Sequence, residues 1–311
     1  MHLSKLRISG FKSYTEPVQF DFGPTIAVII GNNGTGKSNC LEAILWALGE
    51  DDPARLRLRG MEDAFFAGTD DTPPAQEVRV EATLTGDEKD IELARFLDSR
   101  GNQSFLVDGQ TLSSREQYLA ALADLGLGGA CMSVIRQEEI SDIFTMTPGD
   151  LGRFLDQGQG RDGRELEKAF AANLEILLPD SVGRLLRDGS GGAEVEVNFP
   201  DKGPKKGHLL SGGERAVTAL ALKLAVFDQQ GGPFFLLDEV EPSLDYVRNR
   251  NTQKLLKSVC QDRQLVMVTH LRSTIDIAET VHGVRLRPDG SSWLKFHFVM
   301  DERLYRLYKC C

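Results

Sequence analysis

Cysteine is scarce in this chain and is not arranged for a metal site or a disulfide framework. The 311 residues contain five cysteines, at positions 40, 131, 260, 310 and 311, with no Cys-x-x-Cys pair, which is the spacing expected of a zinc site. The apolar runs are strand-sized, shorter than the ~20 residues that a membrane-spanning helix needs, and no signal peptide is recognised. These absences predict a cytoplasmic protein without membrane contact.

A surplus of positive charge is also lacking. The chain has 36 Lys and Arg residues against 46 Asp and Glu, a net charge of −10. Proteins that bind DNA mainly through its phosphates usually carry a basic surplus, so any DNA contact must be a local patch. The alternative for such a patch is a solvated charged face. The candidate cluster consists of Lys5, Arg7, Lys12, Arg55, Arg57 and Arg59.

Heptads and internal repeats are lacking as well, and the remaining pattern predicts an α/β fold of two lobes. A hydrophobic content of 41% is enough to bury a substantial core. We expect an N-terminal lobe over 1–150, a short Gly-, Gln- and Asp-rich linker over 151–163, and a C-terminal lobe over 164–311. The predicted strands are 5–8, 18–22, 25–30, 78–84, 193–199, 233–237 and 264–269, the helices are 39–48, 164–178 and 215–227, and a hairpin with an Asp-Gly turn covers 105–110.

Residues 31–38 carry the strongest motif. Their sequence, Gly-Asn-Asn-Gly-Thr-Gly-Lys-Ser, matches a loop whose backbone N–H groups bind nucleotide phosphates, while its lysine reaches the β/γ phosphates and its last hydroxyl binds Mg²⁺. The loop joins a predicted strand to a predicted helix, which places phosphate at a helix N-terminus; the alternative is a chance glycine-rich turn. The candidate ATP ligands are Asn32, Asn33, Gly34, Thr35, Gly36, Lys37, Ser38 and Asn39, with Ser38 also a Mg²⁺ ligand.

Acidic and basic groups follow two further predicted strands. Asp238 and Glu239 end the apolar run 233–237, at the carboxyl end where open α/β sheets bind ligands. Asp238 would hold Mg²⁺ through its water shell and Glu239 would polarise the attacking water; taken alone, the pair could be a solvated strand end. His270 ends the next strand and is a candidate γ-phosphate sensor, the alternative being a surface histidine.

A second glycine turn precedes the Ala- and Leu-rich helix 215–227. Residues 210–214 are Leu-Ser-Gly-Gly-Glu, so one chain has one phosphate loop but two helix N-termini suited to phosphate. We therefore expect Ser211, Gly212, Gly213 and Glu214 of one chain to close over the γ-phosphate held by a second chain. Asp245, in Ser243-Leu244-Asp245, would lie across the same interface. The alternative is an ordinary helix N-terminus capped by serine.

With these motifs and three further stretches, the chain resembles the ATPase head of SMC proteins, the chromosome-organising branch of the ABC-type ATPases. The stretches are 3–14, which includes Phe-Lys-Ser-Tyr, 39–50, which ends Trp-Ala-Leu-Gly-Glu, and 58–69, which begins Leu-Arg-Gly-Met-Glu-Asp. The likeness covers residues 1 to about 145 and about 205 to 290. It implies an ABC-type P-loop ATPase head, with Walker A, R-loop and Q-loop in the first lobe and signature motif, Walker B, D-loop and His switch in the second.

The resemblance also implies functions that the residues alone do not. Arg59 would reach the nucleotide phosphates and link them to DNA, and Gln137 would contact Mg²⁺ and the attacking water. The implied partners are a second SMC head, as an ATP-dependent homodimer, DNA, and the winged-helix domain of a kleisin. The implied location is the nucleoid, and the implied role is chromosome condensation and segregation.

The chain also departs from the family pattern. Bulky Arg136, Glu138 and Glu139 surround Gln137, where the family has small residues, and a proline at position 242 precedes the Ser-Leu-Asp turn. The family's long coiled coil and hinge are absent between the two halves, so an engineered head and a natural compact relative both remain open. The last residues, 296–311, match nothing in the family pattern.

Two other functions remain open at this stage. One is a stand-alone DNA-repair ATPase of the RecF kind, which would be stimulated by gapped DNA and indifferent to a kleisin. The other is a nucleotide-gated interaction module without catalysis. The intact Lys37, Asp238 and Glu239 argue against the second.

Overall fold

The structure, a computed structural model, describes residues 1–128, 134–136, 138–157, 163–240 and 246–300, apart from the side chains of 246–249 and 272–273. The strands are β1 (His2–Ser9), β2 (Val18–Asp21), β3 (Ile26–Ile30), β4 (Glu77–Thr85), β5 (Asp90–Asp98), β6 (Gln103–Val107), β7 (Gln110–Leu112), β8 (Val134–Arg136), β9 (Val182–Arg187), β10 (Ala193–Phe199), β11 (Gly203–Lys206), β12 (Phe234–Asp238), β13 (Gln264–Val268), β14 (Thr280–Leu286) and β15 (Ser292–Val299). The helices are α1 (Lys37–Ala47), α2 (Arg115–Asp124), α3 (Pro148–Gln157), α4 (Gly163–Leu177), α5 (Gly212–Gln230), α6 (Tyr246–Val259) and α7 (Arg272–Ile275).

These elements divide into two units that are not continuous in sequence. The first unit holds β1 to β7, α1, α2, most of β12, and then β13, α7, β14 and β15. The second unit holds β8, α3 to α6, β9 to β11 and the end of β12. Pairing explains why the late strands join the early ones, because β3 is parallel to both β13 and β14. Two lobes that are each continuous in sequence cannot describe such units. The lobe boundaries at 150 and 164 stay a prediction.

Two sheets organise the first unit. One has the order β2-β1-β4-β5-β6-β7, and its pairs are antiparallel. Within this unit, the order of the other is β15-β14-β3-β13-β12. The strands predicted at 5–8, 18–22, 25–30, 78–84 and 264–269 are confirmed. β4 shows the physical basis, since Val78, Val80, Ala82 and Leu84 alternate with more exposed residues and face the core.

The hairpin between β6 and β7 is confirmed together with its turn. Asp108 and Gly109 have φ angles of 49° and 75°, as a two-residue turn of type I′ requires at both positions. Asp108 also accepts a hydrogen bond from the amide of Glu92, at 2.9 Å. The local Asp-Gly signal therefore defined the hairpin correctly.

Helix α1 is buried on nearly every side. It contacts β1, β4 and β5 of the antiparallel sheet and β13 of the other sheet. From Cys40 to Ala47 every residue of the helix is buried, so α1 lacks the polar face of a surface helix. Because water cannot reach its last carbonyl groups, other parts of the chain must satisfy them.

A buried arginine and its neighbours satisfy the C-terminal end of α1. Arg95 on β5 donates to the carbonyl of Trp46, to Asp51 Oδ1 and to Gln103 Oε1, each at 2.7 Å. Its guanidinium lies 4.6 Å from the centre of the Trp46 ring. Tyr118 on α2 donates to the carbonyl of Ala47 at 2.5 Å. The positive charge at this helix end also suits the helix dipole.

The second unit is built from helices α3 to α6 and an antiparallel sheet of order β11-β10-β9. β10 has the bounds that the sequence predicted, and its buried residues Ala193, Val195, Val197 and Phe199 alternate with half-exposed ones. Helices α4 and α5 contact each other, and α4 also contacts β9. Close approach requires glycine at position 183, because a Cβ there would lie 2.6 Å from the Phe170 ring.

The segment predicted as a linker is helical where it is described. Helix α3 extends to Gln157, and Leu151 and Leu155 are both buried. Their i, i+4 spacing forms an apolar face, which the Gly- and Asp-rich composition concealed. A linking role for 151–163 stays a prediction, but its first residues are not irregular. Among the described residues, no helix combines the length and the apolar character that a bilayer crossing requires.

Replacing Arg95 by methionine is expected to lower the free energy of unfolding by about 3 kcal/mol, because the change removes a buried guanidinium that donates to the Trp46 carbonyl, to Asp51 Oδ1 and to Gln103 Oε1. Chemical denaturation of the wild type and the variant would measure it. Arg79→Met is the matched control: Arg79 also lies over an aromatic ring, Phe96, at 4.8 Å, but its side chain is 45% exposed. We expect the control to cost less than ~1 kcal/mol, and equal losses would refute the role given to Arg95.

A buried histidine is expected to make the protein less stable in acid. His282 on β14 is fully buried, stacks on His297 at 4.7 Å and donates from Nε2 to the Asp21 carbonyl at 2.9 Å. Burial, with a smaller contribution from His297, lowers the pKa of His282 to about 4. The unfolded chain therefore binds a proton near pH 6.5 that the folded chain does not, so stability falls as the pH drops from 6.5 towards 4.

The loss from His282 should reach about 3 kcal/mol at pH 4. Denaturation of the wild type and of His282→Gln across pH 4 to 7 measures it as the difference between the two curves. A difference that stays constant over this range would show that His282 does not titrate as described.

Candidate nucleotide-phosphate site

The loop between β3 and α1 has the shape that its glycines predict. Gly34 and Gly36 have φ angles of 77° and 89°, in the left-handed region that favours glycine. Lys37 is buried, and its Nζ donates to the carbonyl of Asn32 at 3.0 Å. Thr35 donates to the same carbonyl through its hydroxyl at 2.9 Å. The loop is therefore closed on itself, with the lysine folded inside it.

The N-terminal end of α1 is left open towards a ligand. Its N-cap residue is Gly36, no side chain caps the helix, and its first turn carries no acidic residue. Nothing lies within 4 Å of a Cβ built on Gly34. Free N–H groups at a helix N-terminus attract phosphate, so the described residues 31–38 fit a nucleotide phosphate. The predicted ligands Asn32 to Ser38 and Asn39 belong to this one loop and helix start.

Side chains from distant parts of the chain support the loop from behind. Tyr14 donates to the carbonyl of Gly36 at 2.9 Å, and Ser292 donates to the carbonyl of Thr35 at 2.8 Å. Ser13 joins the group, because Asn39 Nδ2 lies 2.7 Å from its hydroxyl. Sequence reasoning did not assign these supports. Ser13 and Tyr14 lie in a stretch that carried the family resemblance, but nothing in the sequence signals Ser292.

His270 lies beside a cavity that the loop also borders. The cavity, of about 290 Å³, is lined by Gly31 and Asn32 at the end of β3 and by Thr269 and His270 after β13. His270 is exposed, whereas Thr269 is buried. Parallel strands β3 and β13 end together here, as sheets of this kind do at ligand sites. The structure thus brings His270 to the same cavity as the start of the phosphate loop.

The acidic pair belongs to the second unit. Asp238 is the last residue of β12 and is buried, and Glu239 follows it half-buried. Glu239 has a φ of 49°, an uncommon conformation for a residue with a side chain and one that recurs at functional sites. The predicted placement of both carboxylates at a strand end is confirmed. Their oxygen atoms suit Mg²⁺, which prefers carboxylate and water ligands.

The glycine turn of the second unit begins α5 with a complete capping box. Ser211 is the N-cap, its hydroxyl accepts from the amide of Glu214 at 3.4 Å, and Glu214 Oε2 accepts from the amide of Ser211 at 2.8 Å. The sequence alternative of an ordinary capped helix is therefore correct as local structure. Lys202 and Lys205 lie 3.2 and 3.9 Å from the Glu214 carboxylate. Burial opposes ionisation of Glu214, but hydrogen bonds from Ser211 and Lys202 together with the charge of Lys202 outweigh it and lower the pKa of Glu214.

Three other predicted positions are Arg59, Gln137 and Asp245. Arg59 is exposed in the first unit, and its backbone amide donates to Asp63 Oδ2 at 3.0 Å. Gln137 and Asp245 lie outside the described residues, so their roles stay predictions.

The candidate basic cluster is largely occupied by ion pairs. Arg7 is 3.8 Å from Glu81, Arg55 is 2.8 Å from Glu50, and Lys12 and Arg57 lie 2.5 and 3.7 Å from Glu42. The side chain of Lys12 is only 10% exposed. A buried and paired lysine cannot contact DNA directly, so Lys12 does not belong to a DNA patch.

Comparisons with known proteins place the whole chain among related proteins. A family model described as "RecF/RecN/SMC N terminal domain" matches residues 2–292. The chromosome partition protein Smc of Delftia acidovorans is 32% identical over 192 residues, 57% of this chain and 16% of that protein. Smc of Mesomycoplasma hyorhinis is 25% identical over 285 residues, 89% of this chain and 29% of that protein. The chain thus spans less than a third of either relative.

Solved structures match over nearly the whole chain. One, an SmcHead bound to the C-winged helix domain of ScpA, has a TM-score of 0.88 and 26% identity and covers 98% of this chain and 99% of its own. The SMC head domain from Thermotoga maritima has a TM-score of 0.74 and 28% identity, with 97% and 100% coverage. These neighbours have the ABC-type P-loop ATPase fold, so the predicted fold class and the resemblance to an SMC head are confirmed.

Replacing Gly36 by alanine is expected to destabilise the loop more than replacing Gly34. Both glycines have positive φ, so each change costs roughly 1–2 kcal/mol of backbone strain. At Gly36 the new Cβ would also overlap the hydroxyls of Ser13 and Ser292, which adds about 1–3 kcal/mol. Denaturation of the two variants gives the comparison, and Gly36→Ala combined with Ser292→Ala should recover part of the loss. Equal losses for Gly34→Ala and Gly36→Ala would contradict the packing described here.

Proposed function

Because the chain belongs to the RecF/RecN/SMC N-terminal domain family, we propose that it is the ATP-binding and ATP-hydrolysing head of a chromosome-organising SMC protein. The observation that carries the proposal is the closed loop 31–38 with Lys37 folded inside it, at the uncapped N-terminus of α1. Such a loop suits the triphosphate of a nucleotide. The Smc names of the matched relatives support the wider role.

ATP would bind along this loop. Backbone N–H groups within the loop, residues 32–38, would bind the phosphates, with Asn39 beside them, and Lys37 would exchange its bond to the Asn32 carbonyl for the β/γ oxygens. Arg59 would add a charged contact to the phosphates. Ser38, Asp238 and Gln137 would hold Mg²⁺, which neutralises charge on the β- and γ-phosphates. These ligands are oxygen atoms, as Mg²⁺ requires.

Hydrolysis would depend on Glu239 and His270. Glu239 orients the attacking water, and the left-handed backbone at this residue fixes the direction of its carboxylate. His270 contacts the γ-phosphate from the end of β13. A neutral imidazole can donate or accept a hydrogen bond near pH 7, so it can follow the change from ATP to ADP and phosphate. Positioning and electrostatics supply most of the catalysis in such reactions.

A second copy of the chain would complete each nucleotide site. Ser211, Gly212, Gly213 and Glu214 of one head close over the γ-phosphate bound by the other, and Asp245 aligns the water from the same side. Two ATP molecules then lie between two heads, and hydrolysis lets the heads separate. The two uncapped or glycine-rich helix N-termini on each chain, those of α1 and α5, support this arrangement.

The proposed partners are DNA and the winged-helix domain of a kleisin. One matched structure is an SmcHead bound to the C-winged helix domain of ScpA, and it supports a partner of this kind here. A nucleoid location in the cytoplasm follows from the same role. Driven by ATP, engagement and release of the heads would act on chromosome organisation and segregation.

Glu239→Gln is expected to give a dimer that depends on ATP, because the variant binds nucleotide but cannot orient water for hydrolysis. Analytical ultracentrifugation at tens of micromolar chain would show a dimer with ATP and a monomer without it. Wild-type ATPase rate should rise with the square of the chain concentration while the heads remain mostly monomeric.

The matched control is the double variant Lys37→Ala, Glu239→Gln, which should stay monomeric because it lacks the phosphate-binding lysine. A second control, Ser211→Arg with Glu239→Gln, should bind ATP as a monomer because the bulky cation blocks the turn. A Glu239→Gln protein that stays monomeric at saturating ATP, or a rate strictly linear in chain concentration, would refute the shared site.

A further inference from the structure

Lys12 and Arg57 have strained backbone conformations, and their side chains form ion pairs with the same carboxylate, that of Glu42. Lys12 and Arg57 both have a φ of 51°, in the left-handed region that a side chain disfavours. Lys12 Nζ lies 2.5 Å from Glu42 Oε2, and Arg57 Nε lies 3.7 Å from Glu42 Oε1. Such strain persists only where the surrounding structure determines it. Glu42 is the group that these two loops share.

Glu42 lies on the nucleotide-binding helix itself. It is in α1, five residues after Lys37, and it is only 2% exposed. The side chain of Lys12 is also nearly buried. A charge in such a position must be paired, because an unpaired charge away from water is costly. The two groups therefore hold each other in place inside the first unit.

Lys12 also holds both ends of the segment that carries Arg59. Its Nζ donates to the carbonyl of Leu56 at 2.5 Å, and its backbone amide donates to the carbonyl of Ala64 at 2.8 Å. Next to it, Gly10 accepts from the amide of Phe66 at 2.9 Å. Arg59 lies between these anchors and is exposed. Both ends of the segment 56–64 are therefore hydrogen-bonded to Lys12.

We propose that Lys12 and Glu42 form a positioning pair that holds the segment 56–64, and with it Arg59, against the nucleotide-binding helix. The inference rests on the proposed function to the extent that Arg59 acts on nucleotide phosphates. Ionised Glu42 fixes the Lys12 ammonium, Lys12 fixes Leu56 and Ala64, and Arg59 is held in a set position relative to α1. Arg57 adds a second, longer ion pair to the same carboxylate.

Hydrogen exchange without nucleotide tests the positioning directly. The amides of Leu56 and Leu58 are hydrogen-bonded to the carbonyls of Asp52 and Pro53, so their exchange reports on this loop. Glu42→Gln keeps the size of the side chain and removes its charge. We expect exchange at 56–60 to become about tenfold faster or more, and Lys12→Met should have the same effect.

Glu81→Gln is the matched control. Glu81 on β4 also faces two cations, Arg7 and Arg79, at 3.8 and 2.5 Å. Both of these cations lie on strands, β1 and β4, and not in a loop. Its amide variant should leave exchange at 56–60 unchanged. Wild-type exchange at 56–60 in both Glu42→Gln and Lys12→Met would overturn the proposal. Glu42→Asp, which keeps the charge, should restore at least part of the protection.

A double-mutant cycle on ATP affinity gives the second test. Arg59→Ala should weaken ATP binding about tenfold in the wild type, as expected for a lost charged contact, but less than about twofold in the Glu42→Gln background, because Arg59 is already displaced there. The same loss in both backgrounds would overturn the proposal. An Arg59→Ala change without effect in the wild type would instead refute the role of Arg59 in the proposed function, and the exchange result would still decide the role of Glu42.

Discussion

Burial of α1 is the constraint on which the first unit depends. A helix surrounded by protein must find partners for its terminal backbone groups and for any charge that it carries. Here Arg95 and Tyr118 satisfy the last carbonyls, and Lys12 pairs with Glu42 in the middle. Each partner comes from a different part of the chain. The position of the helix is therefore determined by groups from several strands and loops.

The consequence at the other end of α1 is a supported loop that leads into a helix N-terminus without a side-chain cap. Tyr14 and Ser292 bind carbonyl groups of the loop from the side of the protein, and the helix N-terminus that follows the loop has no side-chain cap. A site that is already ordered does not lose conformational freedom when a ligand binds. The support of the loop by Tyr14 and Ser292 and the uncapped N-terminus of α1 are thus two results of the same packing. The glycines allow the shape, but Tyr14 and Ser292 hold it.

Local signals made much of this fold predictable from sequence. The Asp108-Gly109 turn, the alternation in β10 and the loop 31–38 each depend on a few neighbouring residues, and the structure has all three. What sequence reasoning missed is not local. Ser292 lies more than 250 residues from the loop that it supports, and the value of Arg95 appears only when α1 is packed against β5. Helix α3 was missed because glycine and aspartate concealed Leu151 and Leu155.

The two helix N-termini of the proposed shared site differ in how they are completed, and the difference bears on the role of Ser211. Helix α1 has no side-chain cap, whereas α5 is capped by Ser211 and Glu214. A serine hydroxyl has one donor and two acceptor positions. In the cap it uses an acceptor position, because it accepts from the amide of Glu214. Its own O–H therefore need not be used in the cap, and it can donate to the γ-phosphate of a second head while the helix stays capped. The structural and the functional interpretations of Ser211, which the sequence presented as alternatives, are compatible in a single geometry.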